Sequence, residues 1–524
     1  MNSAAPDTFP SPDGPDEYGV VFPMVDGRRS TSATGRAVVA DAVRDLDPAL
    51  AEVVGSDPDW RHGYLRAVRR MTELEARSGD AALAIAGAGL DAVHRRFRVR
   101  QDGEDLSLDQ VMRRDPEGSA RPPAVHPVAV AGAGEPGPCG LEIPYRGGLL
   151  AGDDLARRLD TWLADGIAEP SLAEAITAVA EHPEWLDLRD LTVVVLGAGA
   201  ELGPLPSLVR WGAHVVAVDL PGFARWRRLI DVVRASPGRM TLPVSRWLPA
   251  TATDDELAAA AGNDLLTAVP DLLAWLSSLD GPLTLGSYAY ADGADNVRLA
   301  VAVDALAGAL TAARDDVSLA YLATPTDVFA VPAEVVVDSR RRYASRVTTW
   351  HRLARLGTGG HLFAPNYSGR PGQRGLVRTA DGRPLGILDA LVSQQGPNYT
   401  LAKRIQRWRA LRARADGVRV SINVAPATRT RSVLRNRALA AAYAGAHRFG
   451  IEIFDPPAAN TLMAALLVHD LRNPEAAAAP ETPLSTPVEL FWRGALHGGL
   501  WRGGFAPRSV LGTAVVLGMV RRGA

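Results

Sequence analysis

The only lysine in this 524-residue chain is Lys403, four residues after Tyr399. At that spacing both side chains project from one face of a helix. A phenol with a pKa of about 10 is a poor proton donor or acceptor at neutral pH. An ammonium one turn away favours the phenolate and brings the group into a useful range. The pair is a candidate acid/base for reducing a carbonyl or oxidising an alcohol. A lysine surviving among arginines marks a place where a compact ammonium, not a planar guanidinium, is needed. The alternative is chance survival on a solvated helix face.

A second group is the turn Gly197-Ala-Gly199-Ala-Glu201-Leu-Gly203. It follows the apolar run 191–196 and opens a helical stretch at 205–211. Glycines let a backbone turn sharply against a pyrophosphate, and a helix N-terminus offers free N–H groups and a positive dipole end. Asp219 lies twenty residues after Gly199 and ends the next strand, 214–218. A carboxylate there accepts hydrogen bonds from ribose hydroxyls and repels a 2′-phosphate, which favours NAD over NADP. Arg225, Arg227 and Arg228 follow it, either as a solvated helix face or as partners that permit NADP. S-adenosylmethionine sites use a similar turn and acid, so a class I methyltransferase is an alternative.

These residues need a scaffold. Strands and helices alternate from 190 onward: strands at 191–196, 214–218, 282–290, 317–323 and 418–424, helices at 224–235, 296–313, 399–415 and 458–471. That alternation predicts a doubly wound parallel α/β sheet over 190–475. Residues 335–392 read as an insertion with a helix near 347–356. Residues 18–189 read as a mainly helical region, continuously so over 34–115, with Ser171 and Glu174 as a capping box. Residues 1–17 read as disordered, 116–140 as a Pro/Gly-rich connector, and 487–524 as an amphipathic tail holding Phe491, Trp492, Leu500, Trp501 and Phe505.

In order and spacing these pieces resemble the short-chain dehydrogenase/reductase family, over about half the chain. The glycine turn resembles that family's Gly-x-x-x-Gly-x-Gly turn, with Glu201 at the middle glycine. Val303-Asp304-Ala-Leu-Ala-Gly308 resembles its fourth helix, with Asp304 where an asparagine is usual. Tyr399 and Lys403 match its Tyr-x-x-x-Lys pair. Gly417 to Pro426 resembles its sixth strand and proline turn. The resemblance implies NAD(P)-dependent hydride transfer between nicotinamide and a carbonyl or alcohol. Tyr399 would be the acid/base, and Lys403 its tuner and a ribose contact. Gly197, Gly199, Gly203, Asp219, Pro426 and Thr428 (or Thr430) would hold the cofactor. Asp304 would belong to a proton relay. The family's catalytic serine has no direct counterpart; Thr324 or Thr326 fills that place in space, with Ser393 as rival. It also implies a dimer or tetramer. Glu201 and Asp304 raise a third alternative, a non-catalytic nucleotide-binding module.

Composition limits the rest. Net charge is −2, which argues against a general nucleic-acid binder. The single cysteine, Cys139, excludes disulfide frameworks and multi-thiolate zinc sites. The histidines form no paired metal motif, and no Gly-x-Ser-x-Gly elbow supports a hydrolase. No signal layout or membrane-length apolar run is present, so the expectation is a cytoplasmic protein with a small-molecule substrate. The apolar tail adds two expectations, a lipophilic substrate and peripheral membrane contact; packing against the domain is the alternative.

Overall fold

The computed structural model describes residues 18–112, 125–135, 140–367 and 376–522. The 1–17 segment, Cys139 and part of the 116–140 connector lie outside them.

β-Branched runs suit a pleated, buried surface, and they build the centre. One sheet contains seven strands: β1 (His126–Ala131), β2 (Thr192–Leu196), β3 (His214–Val218), β4 (Arg239–Val244), β5 (Leu283–Ser287), β6 (Val317–Ala323) and β7 (Val420–Val424). Their order across the sheet is β7-β6-β5-β2-β3-β4-β1. Strands β2 to β7 run parallel, and β1 closes the edge antiparallel to β4. The six parallel strands thus follow the 3-2-1-4-5-6 order of doubly wound folds, and the order reverses between β2 and β5. Ligands of such sheets bind outside the carboxyl ends of the strands at that reversal.

Alternation along each strand feeds two cores. Val193 and Val195 of β2 face one core, with helices Pro170–Glu181, Phe223–Arg234 and Pro456–Arg472. Val194 and Leu196 face the other, with Gly293–Ala313 and Gly396–Ala415. Gly293–Ala313 is long and apolar enough to cross a membrane, but 67% of its apolar window is buried in this core.

Four N-terminal helices, Thr31–Val43, Pro48–Gly55, Trp60–Glu75 and Gly79–Arg96, join that second core. A Cβ at Gly89 would lie 2.6 Å from the Trp408 ring, so the N-terminal layer sits directly on Gly396–Ala415. The helical reading of 34–115 is corrected in its last part: Arg98–Gln101 and Glu104–Ser107 form a small antiparallel sheet with Gly19–Val21.

Other expectations also change. β4 was hidden because Pro243 interrupts its pattern, and β1 lies inside the segment expected to be a connector. The insertion begins earlier than 335: Val328–Pro332 pairs antiparallel with Pro384–Asp389, which pairs with Leu376–Arg378. Ser171 caps no helix; it sits within the first turn of Pro170–Glu181, and its hydroxyl accepts the Gly494 amide. The tail's apolar residues Phe491, Trp492, Leu500, Trp501 and Phe505 are all buried. Trp501 stacks on the buried His497 ring at 5.0 Å. These side chains belong to the core.

Candidate functional site

The carboxyl ends of β2, β3, β6 and β7 carry residues that the sequence singled out. Gly197 follows β2 with φ +85, a conformation that favours glycine, and a Cβ there would meet the Ala289 backbone at 2.5 Å. The turn is therefore held tightly against the chain leaving β5. The helix behind it, Leu205–Arg210, is only six residues long and starts at Pro204, with a second proline at 206. The amides of Gly197 and Ala198 donate to Val218 O, Ala200 to Gly197 O and Gly203 to Ala200 O. The expected free amides at a helix N-terminus are thus largely engaged or missing.

Asp219 ends β3 as expected. One oxygen accepts the Gly199 amide at 2.7 Å. The other accepts the Leu220 amide at 2.8 Å and lies 3.3 Å from Arg225 Nε. Arg225 lies over the turn: a Cβ at Gly199 would meet its side-chain carbons at 3.0 Å. Glu201, the departure from an all-glycine turn, reaches across to the segment after β7. It accepts the Arg431 amide at 2.8 Å and pairs with the guanidinium at 3.1 Å. Both partners are partly exposed, so the pair contributes about 1 kcal/mol or less. Leu220, Phe223, Trp247 and Tyr290, in the loops after β3, β4 and β5, expose large apolar surfaces around this edge.

Tyr399 is partly buried in the first turn of Gly396–Ala415. Pro397 suits that start, where an N–H has no helical partner. The Tyr290 ring stands edge-on to Tyr399 at 6.2 Å. Thr324, just past β6, lies close enough to the phenol to favour its phenolate. Thr324 and Thr326 share a hydrogen bond of 2.9 Å, and Gln395 Nε2 donates to Thr326 at 2.6 Å. A hydrogen-bonded chain therefore runs from the Gln395 amide through Thr326 to Thr324, next to the phenol. Burial raises the Tyr399 pKa and the nearby Asp327 carboxylate adds to the rise, while Thr324 opposes it. The phenol is thus protonated at neutral pH, its pKa raised on balance where a lowering was expected.

Lys403 lies one turn on, largely buried. Its ammonium donates to Leu322 O at 2.9 Å and to Gln406 Oε1 at 3.1 Å. Burial pushes its pKa down to about 8, against the pull of Asp327.

Other expected residues are not brought to this group. Asp304 is buried between Arg409, which holds both its oxygens at 2.7 and 3.0 Å, and His94 at 2.7 Å. Burial opposes its charge, but these partners hold its pKa at about 2. It locks the N-terminal helices to the sheet's helix layer and has no place in a relay. Ser393 is exposed, and its hydroxyl donates to Gln394 at 3.4 Å; it does not compete with Thr324. Pro426 and Thr428 do lie past β7, but the Thr428 hydroxyl donates to the Pro426 carbonyl at 2.8 Å.

Sequence reasoning missed a buried ion cluster beside Tyr399. Asp327 accepts from Arg404 at 2.9 Å and Arg407 at 3.0 Å, and Arg404 also pairs with Glu75 at 3.2 Å. Arg407 is sandwiched between the Phe329 and Phe491 rings at 4.4 and 4.3 Å. The run of five arginines along this helix, Arg404 and Arg407 three residues apart among them, was the available signal. Also missed was a cavity of about 570 Å³ beyond β7. Its lining includes Arg146, Arg346, Arg429, Tyr443 and Glu452. Tyr443 lies close enough to Tyr399 to feel its charge, and burial chiefly pushes its pKa up to about 12. Ile167, Ile451 and Phe454 also line it, so the wall mixes charged, aromatic and aliphatic side chains.

No protein-family model, curated protein or solved structure matches the chain.

Proposed function

We propose that the protein is a nucleotide-dependent oxidoreductase of the short-chain dehydrogenase/reductase type, with Tyr399 as its proton donor. The observation that carries this reading is the meeting of Tyr399 with Thr324 at the carboxyl edge of the sheet, beside the β2 turn. The two come from positions 75 residues apart, and their contact is the arrangement a carbonyl-reducing acid needs.

The donor set fits a dinucleotide by type. Asp219 suits ribose hydroxyls, the exposed Leu220, Phe223 and Trp247 suit a flat base, and Arg431 suits phosphate. Two partly exposed side chains, Glu201 and Arg225, must swing aside, and their ion pairs near the surface cost little to open. NAD is the expected cofactor because Asp219 repels a 2′-phosphate; Arg225 beside it leaves NADP open. A bound nicotinamide supplies or accepts the hydride.

The chain's own residues handle the proton. The protonated Tyr399 phenol donates to a substrate carbonyl oxygen held beside it. Thr324, Thr326 and Gln395 form the hydrogen-bonded path by which the phenolate recovers a proton. Lys403 places a positive charge at the end of β6 that stabilises this phenolate as it forms. The cavity bordered by Tyr443 is the substrate's place, and its arginines and Glu452 select a polar, charged molecule.

Calorimetric titration with NAD(H), NADP(H) and S-adenosylmethionine tests the reading. Dinucleotide binding that weakens in Lys403→Ala is expected. With a substrate in hand, Tyr399→Phe should lower turnover about 10²–10⁴-fold; full activity would refute the assignment. S-adenosylmethionine binding alone would select the methyltransferase. One observation favours a non-catalytic module: the Glu201–Arg431 pair spans the phosphate position. Absence of any nucleotide binding would select that reading.

A further inference from the structure

The helix Thr349–Gly357 is turned inside out. None of its nine residues is buried. The side toward the protein carries His351, which stacks near Phe363 at 4.4 Å, Ala354 and Arg355. The opposite side carries Trp350, Leu353 and Leu356, which are 71%, 56% and 80% exposed. A surface helix of a water-soluble face normally buries its apolar stripe and wets its polar one. Here the stripe points outward.

Its surroundings have one sign of charge. Segments 339–361, 429–451 and 490–519 meet at the cluster of Phe363, Phe449, Phe505 and Val510. They contain six, five and three arginines and no Asp or Glu, in a chain whose net charge is −2. Some of these arginines serve the fold; Arg342 and Arg502, for example, pair with Asp338. Others do not. Arg341, Arg346, Arg352, Arg435, Arg437 and Arg448 are exposed and have no ion-pair partner among the described residues. Leu434, Val516, Leu517 and Met519 add exposed apolar side chains to these same segments.

We infer that this face docks on an anionic lipid surface. Trp350, Leu353 and Leu356 enter the boundary between headgroups and chains, and the surrounding arginines meet the headgroup phosphates. Outward apolar residues flanked by cations are the signature of an interfacial helix. A second copy of the chain fits poorly, because a two-fold contact through this face would set arginines against arginines. Nucleic acid would use the arginines but leave the three large apolar side chains unexplained. The inference does not depend on the nature of the reaction.

The test is flotation of the full chain with vesicles of phosphatidylcholine alone and with increasing phosphatidylglycerol. Binding is expected only with the anionic lipid, and it should fall with salt. The triple variant Trp350→Glu, Leu353→Glu, Leu356→Glu should lose binding at least 100-fold. Arg341→Glu, Arg352→Glu, Arg435→Glu should lose at least fivefold per site. All six positions are exposed, and unchanged circular dichroism and urea midpoints would show that the fold is intact. Quenching by brominated lipid should drop in Trp350→Phe. Equal binding to neutral vesicles, no binding, or wild-type binding by the apolar variant would overturn the inference. So would preference for DNA, or a stable dimer that the apolar variant dissociates.

Discussion

Two kinds of buried cation ride on the helix Gly396–Ala415. Arg404, Arg407 and Arg409 each meet a carboxylate within 3.2 Å. Lys403, beside them, meets only two neutral oxygens. The arginines are architecture: their partners Glu75, Asp327 and Asp304 tie the N-terminal layer, the insertion and the core helix together. The lysine joins nothing comparable. Burying an ammonium without a paired anion works against folding. A group kept at such a cost, where a neutral side chain would pack, points to use and not to support.

The largest effect should come from breaking the paired side. Asp327→Ala strands Arg404 and Arg407, both fully buried, with only the Val328 carbonyl and Glu75 left as acceptors. Removing one partner of a buried ion cluster costs about 3–5 kcal/mol. The urea midpoint should fall accordingly with the slope unchanged. A loss below about 1 kcal/mol would show that the cluster is not architectural, and the contrast with Lys403 would dissolve.

Lys403→Met should behave in the opposite way. The folded-state pKa of Lys403 is about 8, below the 10.5 of the free side chain. Between those values the unfolded chain binds more protons than the folded one, so stability rises with pH there. Below pH 8 the full penalty is present. Lys403→Met should therefore be at least as stable as wild type at neutral pH. Stability of wild type relative to the variant should improve from about pH 8 to 10, while the variant loses turnover. A variant that unfolds at neutral pH would place Lys403 with the arginines.

How much of this contrast was legible beforehand follows from what each signal depends on. Tyr399 and Lys403 were legible because both lie on one helix, where spacing alone fixes their relation. The β2 turn and Asp219 were legible for the same local reason. Thr324 beside Tyr399 was reached through the order of strands. The ion cluster was not legible, because Glu75, Asp327 and Arg404 come from three segments that only packing unites. Proline masked β4, and β1 was lost in a glycine- and proline-rich run. The tail aromatics read as an amphipathic surface because composition cannot tell a buried face from a wet one; the outward stripe of Thr349–Gly357 is the same ambiguity resolved the other way.

Thr324→Val should produce a smaller change. It removes the hydroxyl that lowers the Tyr399 pKa and keeps the side chain's shape. One such interaction is worth about 1 kcal/mol, so turnover should fall about fivefold and its alkaline limb should move to higher pH. Ser393→Ala, at an exposed position, should leave both unchanged. The reverse outcome would move the relay from β6 to the loop before Gly396–Ala415.

The smallest effect concerns the turn itself. Glu201→Gln keeps the length of the side chain but weakens its hold on Arg431. The pair is exposed, so its loss should change stability by less than about 1 kcal/mol. Binding is the informative readout. If Arg431 receives a phosphate when a dinucleotide binds, the wild-type ligand must first displace a carboxylate. The variant removes that competitor along with a negative charge at the phosphate position. Dinucleotide affinity should then tighten by up to about fivefold, most clearly at low salt, where screening is least. Unchanged affinity would mean that Glu201 and Arg431 stay together in the complex, and that the phosphate is held elsewhere along the β2 edge.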